Sequence, residues 1–204
     1  MSKAGDDEIA IERIETLAAE RYPLRRYRFV QRRRDGSRST VERQVYEIGE
    51  SAAVLPIDCR RGTVLLVRQL RLAAFINGDA PHLIEACAGH VEPGEAAAAA
   101  VRREAEEELG YALGALVPVF VLYASPGLVS EKLHLFVAQY DPAMRHGAGG
   151  GLAGEGEDIE VLEMALDEAW HMVETGEIID AKTVLLLQHA KLSSPAAANG
   201  ARPC

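Results

Sequence analysis

Short apolar runs dominate the middle of the chain and predict buried strands. The runs "AAVLPI" (52–57) and "GTVLLVRQLR" (62–71) are rich in aliphatic and β-branched residues, and Arg60–Arg61–Gly62 between them is a turn signal. A second turn signal, Asn77–Gly78, precedes the next strand. The further predicted strands are "HLIEACAG" (82–89), "LVPVFVLYASPG" (116–127), "KLHLFVAQY" (132–140) and "IEVLEMAL" (159–166).

Three segments have the apolar spacing or the alanine content of helices. Residues 95–109 are rich in alanine, which has the highest helix propensity, and Gly110 follows where a helix end favours a left-handed residue. Residues 167–177 and 180–192 each present an apolar face. Between strands and helices lies a glycine-rich acidic loop at 147–158.

The two ends of the chain differ from this middle part. Residues 9–50 are predicted to form an N-terminal β-rich subdomain, in which an arginine-rich hairpin turns at Asp35–Gly36. We predict a main domain over 51–192 and disordered tails at 1–8 and 193–204.

Composition narrows the class of protein. With 204 residues and 48% hydrophobic residues, the chain can bury a core of ordinary size, and its net charge of −9 disfavours sequence-independent binding to nucleic acid. The N-terminus lacks the order of a signal peptide, and no apolar run is long enough to span a membrane. Cys59, Cys87 and Cys204 form no CxxC pair, which predicts reduced thiols and a cytoplasmic protein.

The acidic end of the predicted helix is the strongest chemical signal. On a helix, Glu104, Glu107 and Glu108 lie within one turn on one face, where like charges repel. A divalent cation removes this repulsion, and Mg²⁺ prefers carboxylate oxygens and also binds substrate phosphates. Taken alone, the glutamates favour a solvent-facing helix rich in alanine, glutamate and arginine.

The spacing around these glutamates favours the metal site. From Gly89 the pattern runs through Glu95, Arg103–Glu104 and Glu107–Glu108 to Gly110, and it resembles the complete Nudix box. Ala105 and Tyr111 stand where larger aliphatic residues are common in that box. The resemblance to Nudix hydrolases implies an α/β class fold, an α/β/α sandwich around a mixed sheet, with the box as a loop–helix–loop.

The resemblance also assigns roles to individual residues. It implies Mg²⁺, with Mn²⁺ as a possible substitute, bound by the carbonyl of Ala88 and by Glu104, Glu108 and Glu157. Glu107 joins or supports these ligands, and Arg103 orients the glutamates through ion pairs. The residues implied in catalysis are Glu108, Glu157, Glu107 and Arg103. The acidic loop that contains Glu157 is expected to act as a mobile lid.

Segments outside the box resemble the nucleotide-sugar pyrophosphatase branch of the family. The segment "YASPGLVSEKLHLF" (123–136) is similar to that branch, which contains both ADP-ribose and GDP-mannose pyrophosphatases. The segments "AGGGLAGEGEDIEVLE" (148–163) and "TGEIIDAKTVLLL" (175–187) are most similar to enzymes that hydrolyse GDP-mannose. Leu128 and Gly156 depart from the pattern of those enzymes. The resemblance implies substrate contacts at Tyr22, Arg43, Arg71, Glu131 and Lys182.

Several functions stay open at this point. The leading expectation is hydrolysis of GDP-mannose to GMP and mannose 1-phosphate, and the alternative is hydrolysis of ADP-ribose to AMP and ribose 5-phosphate. A nucleotide-binding module without turnover and an RNA-binding protein that uses the arginine hairpin are weaker alternatives. The expected partners are a small nucleotide sugar and a second copy of the chain in a homodimer with N-terminal exchange, without nucleic acid or membrane.

Overall fold

The computed structural model describes residues 8–193, so the predicted tails fall almost wholly outside the described residues. Within that range the chain divides into two compact units. The first unit contains the chain up to Gly49 together with Tyr123–Lys132, and the second contains Glu50–Leu122 and the chain from Leu133 onward.

The first unit is built on a three-stranded antiparallel sheet in the order β1-β2-β3. Its strands are β1 (Ile9–Ala19), β2 (Pro23–Arg32) and β3 (Arg38–Tyr46). The predicted hairpin joins β2 to β3, and the Asp35 carboxylate accepts hydrogen bonds from the backbone N–H and the hydroxyl of Ser37. Gly36 has a φ of 83°, which explains why glycine stands at this turn.

The second unit contains a seven-stranded sheet whose main path runs β10-β5-β4-β9-β8, with β6 beside β5 and β7 beside β4. The strands are β4 (Glu50–Asp58), β5 (Thr63–Leu70), β6 (His82–Glu85), β7 (Cys87–His90), β8 (Leu116–Tyr123), β9 (Lys132–Gln139) and β10 (Glu160–Ala165). The helices are α1 (Leu72–Ile76), α2 (Ala97–Glu104), α3 (Leu166–Thr175) and α4 (Ala181–Ser193).

Strand alternation divides the core of the second unit between the two faces of the sheet. Leu65 and Val67 of β5 pack with Ala100, Val101 and other residues of the α2 side. The intervening residues Val64 and Leu66 pack instead with residues of α3 and α4, including Ala169, Leu186 and Leu187. Helices on both faces of one sheet confirm the predicted α/β/α arrangement.

Two predicted elements are each divided in the structure. The single strand predicted at 82–89 is two short strands, because β6 pairs with β5 whereas β7 pairs with β4. The helix predicted at 95–109 is α2 followed by a π-helical turn, Ala105–Leu109. Which neighbour a strand pairs with depends on tertiary contacts, so the local pattern did not reveal the division of the strand. The local pattern also gave no signal for the π-helical turn.

The prediction of three reduced thiols is contradicted at Cys59. Cys87 is a buried free thiol, whereas Cys59 is disulfide-bonded. Disulfide formation depends on the spatial approach of two cysteines, which sequence spacing does not reveal. Cys204 lies outside the described residues. Within residues 8–193, no helix has both the length and the apolar character needed to cross a membrane.

Candidate active site

The acidic turn of the box lies where α2 passes into the π-helical turn. Ala100 and Ala105 are fully buried in the same cluster as Val54 of β4, so small side chains allow the helix to lie close against the sheet. The turn ends at Gly110, whose φ of 76° is left-handed as predicted. A π-helical turn widens the helix locally and is often found at functional sites.

Arg103 holds the glutamates of the box together. Its Nη1 donates to Glu104 Oε1 at 2.8 Å and to Glu107 Oε2 at 3.3 Å. Its Nη2 donates to the carbonyl of His90 at 3.1 Å, and its Nε and Nη2 are each 3.5 Å from the Glu95 carboxylate. Partial burial alone would lower the pKa of Arg103, but the Glu95 and Glu104 carboxylates raise it overall, so this guanidinium stays charged.

Gly89 of β7 leaves the space that the Glu104 carboxylate occupies. A Cβ built on Gly89 would lie 1.8 Å from Glu104 Oε1 and 1.9 Å from its Cδ. The backbone here has no left-handed φ that would itself require glycine, so the close approach of Glu104 explains the residue.

Glu108 is the most deeply buried of the box carboxylates, with 2% of its surface exposed. Its Oε2 accepts a hydrogen bond from the Ala88 N–H at 3.1 Å. Burial raises the pKa of Glu108 to about 7, against the lowering effect of hydrogen bonds from the Cys87 thiol and Ala88 N–H. The charges of Glu104 and Glu157 raise it further.

The acidic loop is attached to the π-helical turn. The N–H groups of Gly150 and Gly151 donate to the carbonyls of Glu108 and Glu107 at 2.9 and 3.1 Å. A Cβ on Gly149 would lie 2.4 Å from the Glu108 carbonyl oxygen. Backbone bonds and close glycine packing therefore attach the first half of the loop to the turn. The mobile lid stays a prediction.

The anchored loop brings Glu157 to the box carboxylates. Glu157 Oε2 accepts a hydrogen bond from the Leu152 N–H at 2.9 Å. A Cβ on Gly151 would lie 2.5 Å from the same oxygen. The Glu157 charge contributes to the raised pKa of both Glu104 and Glu108, so three carboxylates share one electrostatic environment.

These carboxylates fit a divalent cation. Within residues 8–193, no group of three or more His, Cys, Asp or Glu side chains stands in a ready-made metal geometry. The donor set nevertheless has the chemistry of a hard-cation site: burial is the largest cause of the raised pKa of Glu104, and the charges of Glu107 and Glu157 add to it. A Mg²⁺ ion held by such oxygens offsets both the burial of the carboxylate charge and the repulsion between the carboxylates.

Two of the predicted substrate contacts lie in this unit and share a partner. Arg71 follows β5, Lys182 lies in the first turn of α4, and both form ion pairs with Glu85. No role was predicted for Glu85. An acidic residue inside the apolar run "HLIEACAG" was the available signal, because a buried carboxylate requires cationic or hydrogen-bonding partners.

The other predicted substrate contacts lie in the first unit. The Tyr22 ring packs edge-on against Tyr46 with a centroid distance of 6.0 Å. Arg43 of β3 is exposed, and its Nη1 donates to the Glu42 carbonyl at 2.8 Å. Glu131 follows the turn that begins at Ser125, and its carbonyl accepts from the Ala124 N–H at 3.3 Å. Their contact with substrate remains a prediction.

The sequence matches a known protein family and is similar to several proteins of known name. Residues 48–187 match the family described as the NUDIX domain. The chain is 46% identical over 177 residues to a GDP-mannose pyrophosphatase of Cronobacter sakazakii (strain ATCC BAA-894), which covers 86% of this chain and 91% of that protein. It is 44% identical over 162 residues to one of Escherichia coli O157:H7, covering 79% and 83%.

A solved structure shares the fold. It is described as "Crystal structure of ADP compounds hydrolase", and it matches with a TM-score of 0.70 over 91% of this chain and 93% of that chain. The sequence identity is 21%, so this likeness bears on the fold alone.

Proposed function

The chain belongs to the Nudix family, and from that premise we propose that it is a Mg²⁺-dependent hydrolase of the diphosphate bond in nucleoside diphosphate sugars. The observation that carries the proposal is the buried carboxylate cluster. Burial raises the pKa of both Glu104 and Glu108, and the charge of Glu157 raises both further. This arrangement costs free energy in the folded protein unless a cation is bound.

We assign separate roles in this reaction to individual residues. Glu104, Glu108, Glu157 and the carbonyl of Ala88 would hold the metal, which neutralises the diphosphate and activates water when bound. Arg103 fixes Glu104 and Glu107 through its ion pairs. Glu157 lies outside the helix and is the carboxylate that we assign to accept the proton of the attacking water.

The names of two relatives support GDP-mannose as the substrate. Two relatives at 44% and 46% identity are named GDP-mannose pyrophosphatase, and they cover most of this chain. Arg71 and Lys182 supply cationic donors suited to phosphate oxygens. We assign base and sugar recognition to Tyr22, Arg43 and Glu131 of the first unit, through ring stacking and hydrogen bonds. ADP-ribose is the second candidate.

A substrate panel tests this assignment. With Mg²⁺ present, kcat/KM for GDP-mannose should exceed that for ADP-ribose by about tenfold, which corresponds to about 1.4 kcal/mol. Both nucleotide sugars should exceed a nucleoside triphosphate. A higher kcat/KM for ADP-ribose would make ADP-ribose the preferred substrate and keep the protein among the nucleotide-sugar pyrophosphatases. A higher kcat/KM for the triphosphate would contradict membership in that branch.

We further propose a homodimer formed through the N-terminal β-rich subdomain of residues 9–50. On β1, the outer strand of its sheet, Ile9, Ile11 and Ile14 are each at least half exposed, at 54%, 59% and 50%. An exposed apolar edge strand is a natural site of pairing between chains.

The dimer is tested by light scattering. At micromolar concentration the protein should have the mass of two chains, and a variant with Ile11→Lys should be monomeric with lower activity. A fully active wild-type monomer under assay conditions would rule out the exchange.

A further inference from the structure

A single buried carboxylate in the second unit binds both Arg71 and Lys182. Glu85, at the end of β6, is 2% exposed. Its Oε1 accepts a hydrogen bond from Arg71 Nε at 2.6 Å, and its Oε2 accepts from Arg71 Nη2 at 3.0 Å and from Lys182 Nζ. Arg71 comes from the end of β5 and Lys182 from the start of α4, so Glu85 joins cations that are far apart in the sequence.

A second carboxylate, that of Asp180, also binds Lys182. Asp180 Oδ1 lies 3.0 Å from Lys182 Nζ. Asp180 Oδ2 accepts from the Thr183 N–H at 3.0 Å, which is the bond of a helix N-cap. Thr183 Oγ1 in turn accepts from the Ala86 N–H at 2.8 Å, next to Glu85. The start of α4 is therefore bound to the strand that carries Glu85.

Arg71 and Lys182 keep N–H donors that Glu85 and Asp180 do not use. A guanidinium has five N–H donors, of which Arg71 gives two to Glu85, and an ammonium has three, of which Lys182 gives two to Glu85 and Asp180. The Arg71 side chain is 40% exposed, so part of it remains accessible. Two cations matched by two carboxylates form a neutral group, yet only the cations have donors to offer an anion.

The partners of Glu85 and Lys182 keep both side chains ionised at neutral pH. Burial would raise the pKa of Glu85, but its bond to Arg71 and the charge of Lys182 lower it overall. Burial would lower the pKa of Lys182, but Asp180 and Glu85 raise it overall. A lysine near a helix N-terminus is electrostatically unfavourable, so these carboxylates also account for its presence there.

We propose that Glu85 is a positioning residue, which holds Arg71 and Lys182 as a preformed cationic pair for the diphosphate of the substrate. This inference rests on the proposed function. Cations already fixed by Glu85 and Asp180 lose little side-chain entropy when an anion binds, so the pair binds it more tightly than two free side chains would. A structural role alone would join β5, β6 and α4 without changing affinity for the ligand.

The test uses GDP as a probe of the diphosphate site, with Ca²⁺ present, by titration calorimetry. Glu85→Gln keeps the size of the side chain and removes its charge, so it should raise the Kd for GDP by about tenfold or more. In assays with GDP-mannose and Mg²⁺, KM should rise by a similar factor while kcat stays within about threefold. Glu85→Asp, which keeps the charge, should recover part of the affinity.

Glu163→Gln is the matched control. Glu163, although exposed, also joins elements, since it accepts from Tyr140 Oη at 3.0 Å and pairs with Arg61. It should change thermal stability without changing the Kd for GDP by more than about twofold. A folded Glu85→Gln protein with a Kd for GDP within about twofold of wild type overturns the inference.

Asp180→Asn covers the case in which Glu85→Gln does not fold. It removes the second carboxylate on Lys182 and should raise the Kd for GDP by about threefold or more. An unchanged Kd in this variant also overturns the inference, as does a wild-type protein that does not bind GDP. A wild-type protein that binds GDP but hydrolyses no nucleotide sugar refutes the proposed function and leaves the inference about Glu85 standing.

Discussion

Glu108→Gln is expected to lower kcat by about three orders of magnitude, or about 4 kcal/mol, with the fold intact. The amide has the shape of the carboxylate but offers a metal no charge. Glu108 is 2% exposed, and its raised pKa shows that the fold tolerates the ionised form at a cost. Because a neutral amide is less costly to bury, the melting temperature without metal should not fall.

Steady-state kinetics at saturating Mg²⁺, with melting curves, measure both parts of this expectation. Glu106→Gln is the control, because Glu106 lies in the same acidic turn but is exposed. It should leave kcat within about twofold of wild type. If Glu108→Gln retained a tenth of wild-type kcat, Glu108 would not be a metal ligand.

Gly89→Ala is expected to lower kcat/KM by about a hundredfold without unfolding the protein. The new Cβ would lie 1.8 Å from Glu104 Oε1, so the Glu104 side chain must turn away from its observed position. The atoms that must move belong to the end of a flexible side chain rather than to the backbone. The loss should therefore fall on the metal site, and the Mg²⁺ concentration for half-maximal activity should rise.

Gly154→Ala provides the control for this substitution. Gly154 lies in the acidic loop, and a Cβ there would meet no atom within 4 Å. Its activity and Mg²⁺ requirement should match the wild type. Wild-type Mg²⁺ dependence in Gly89→Ala would show that the observed position of Glu104 is not the one that matters for catalysis.

Local patterns were sufficient to predict the parts of the fold that local forces determine. The apolar runs at 52–57 and 62–71 became β4 and β5, because alternate residues of a strand fill the two faces of a sheet. The left-handed Gly110 was predicted because a helix end favours a residue without a Cβ. Helical spacing likewise predicted that Glu104 and Glu107 lie on one face, and Arg103 binds both of them.

The role of Glu85 and the packing of the loop glycines were not predicted, because both depend on contacts between segments that are distant in the sequence. The pair of Glu85 with Lys182 joins residues 97 positions apart, and no periodicity relates them. The glycines at 149–151 suggested flexibility by composition, yet they allow the loop to pack against the carbonyls of the π-helical turn. In both cases the function of the residue depends on a neighbour that the local sequence does not contain.

We propose that the carboxylate cluster directs cleavage between the two phosphates of a nucleotide sugar. The most direct test is to incubate the wild-type protein with GDP-mannose and Mg²⁺ and to identify the products by chromatography and phosphorus NMR. GMP and mannose 1-phosphate in equal amounts are the expected result. GDP and free mannose, which require cleavage of the glycosidic bond, or no turnover at all, would contradict it.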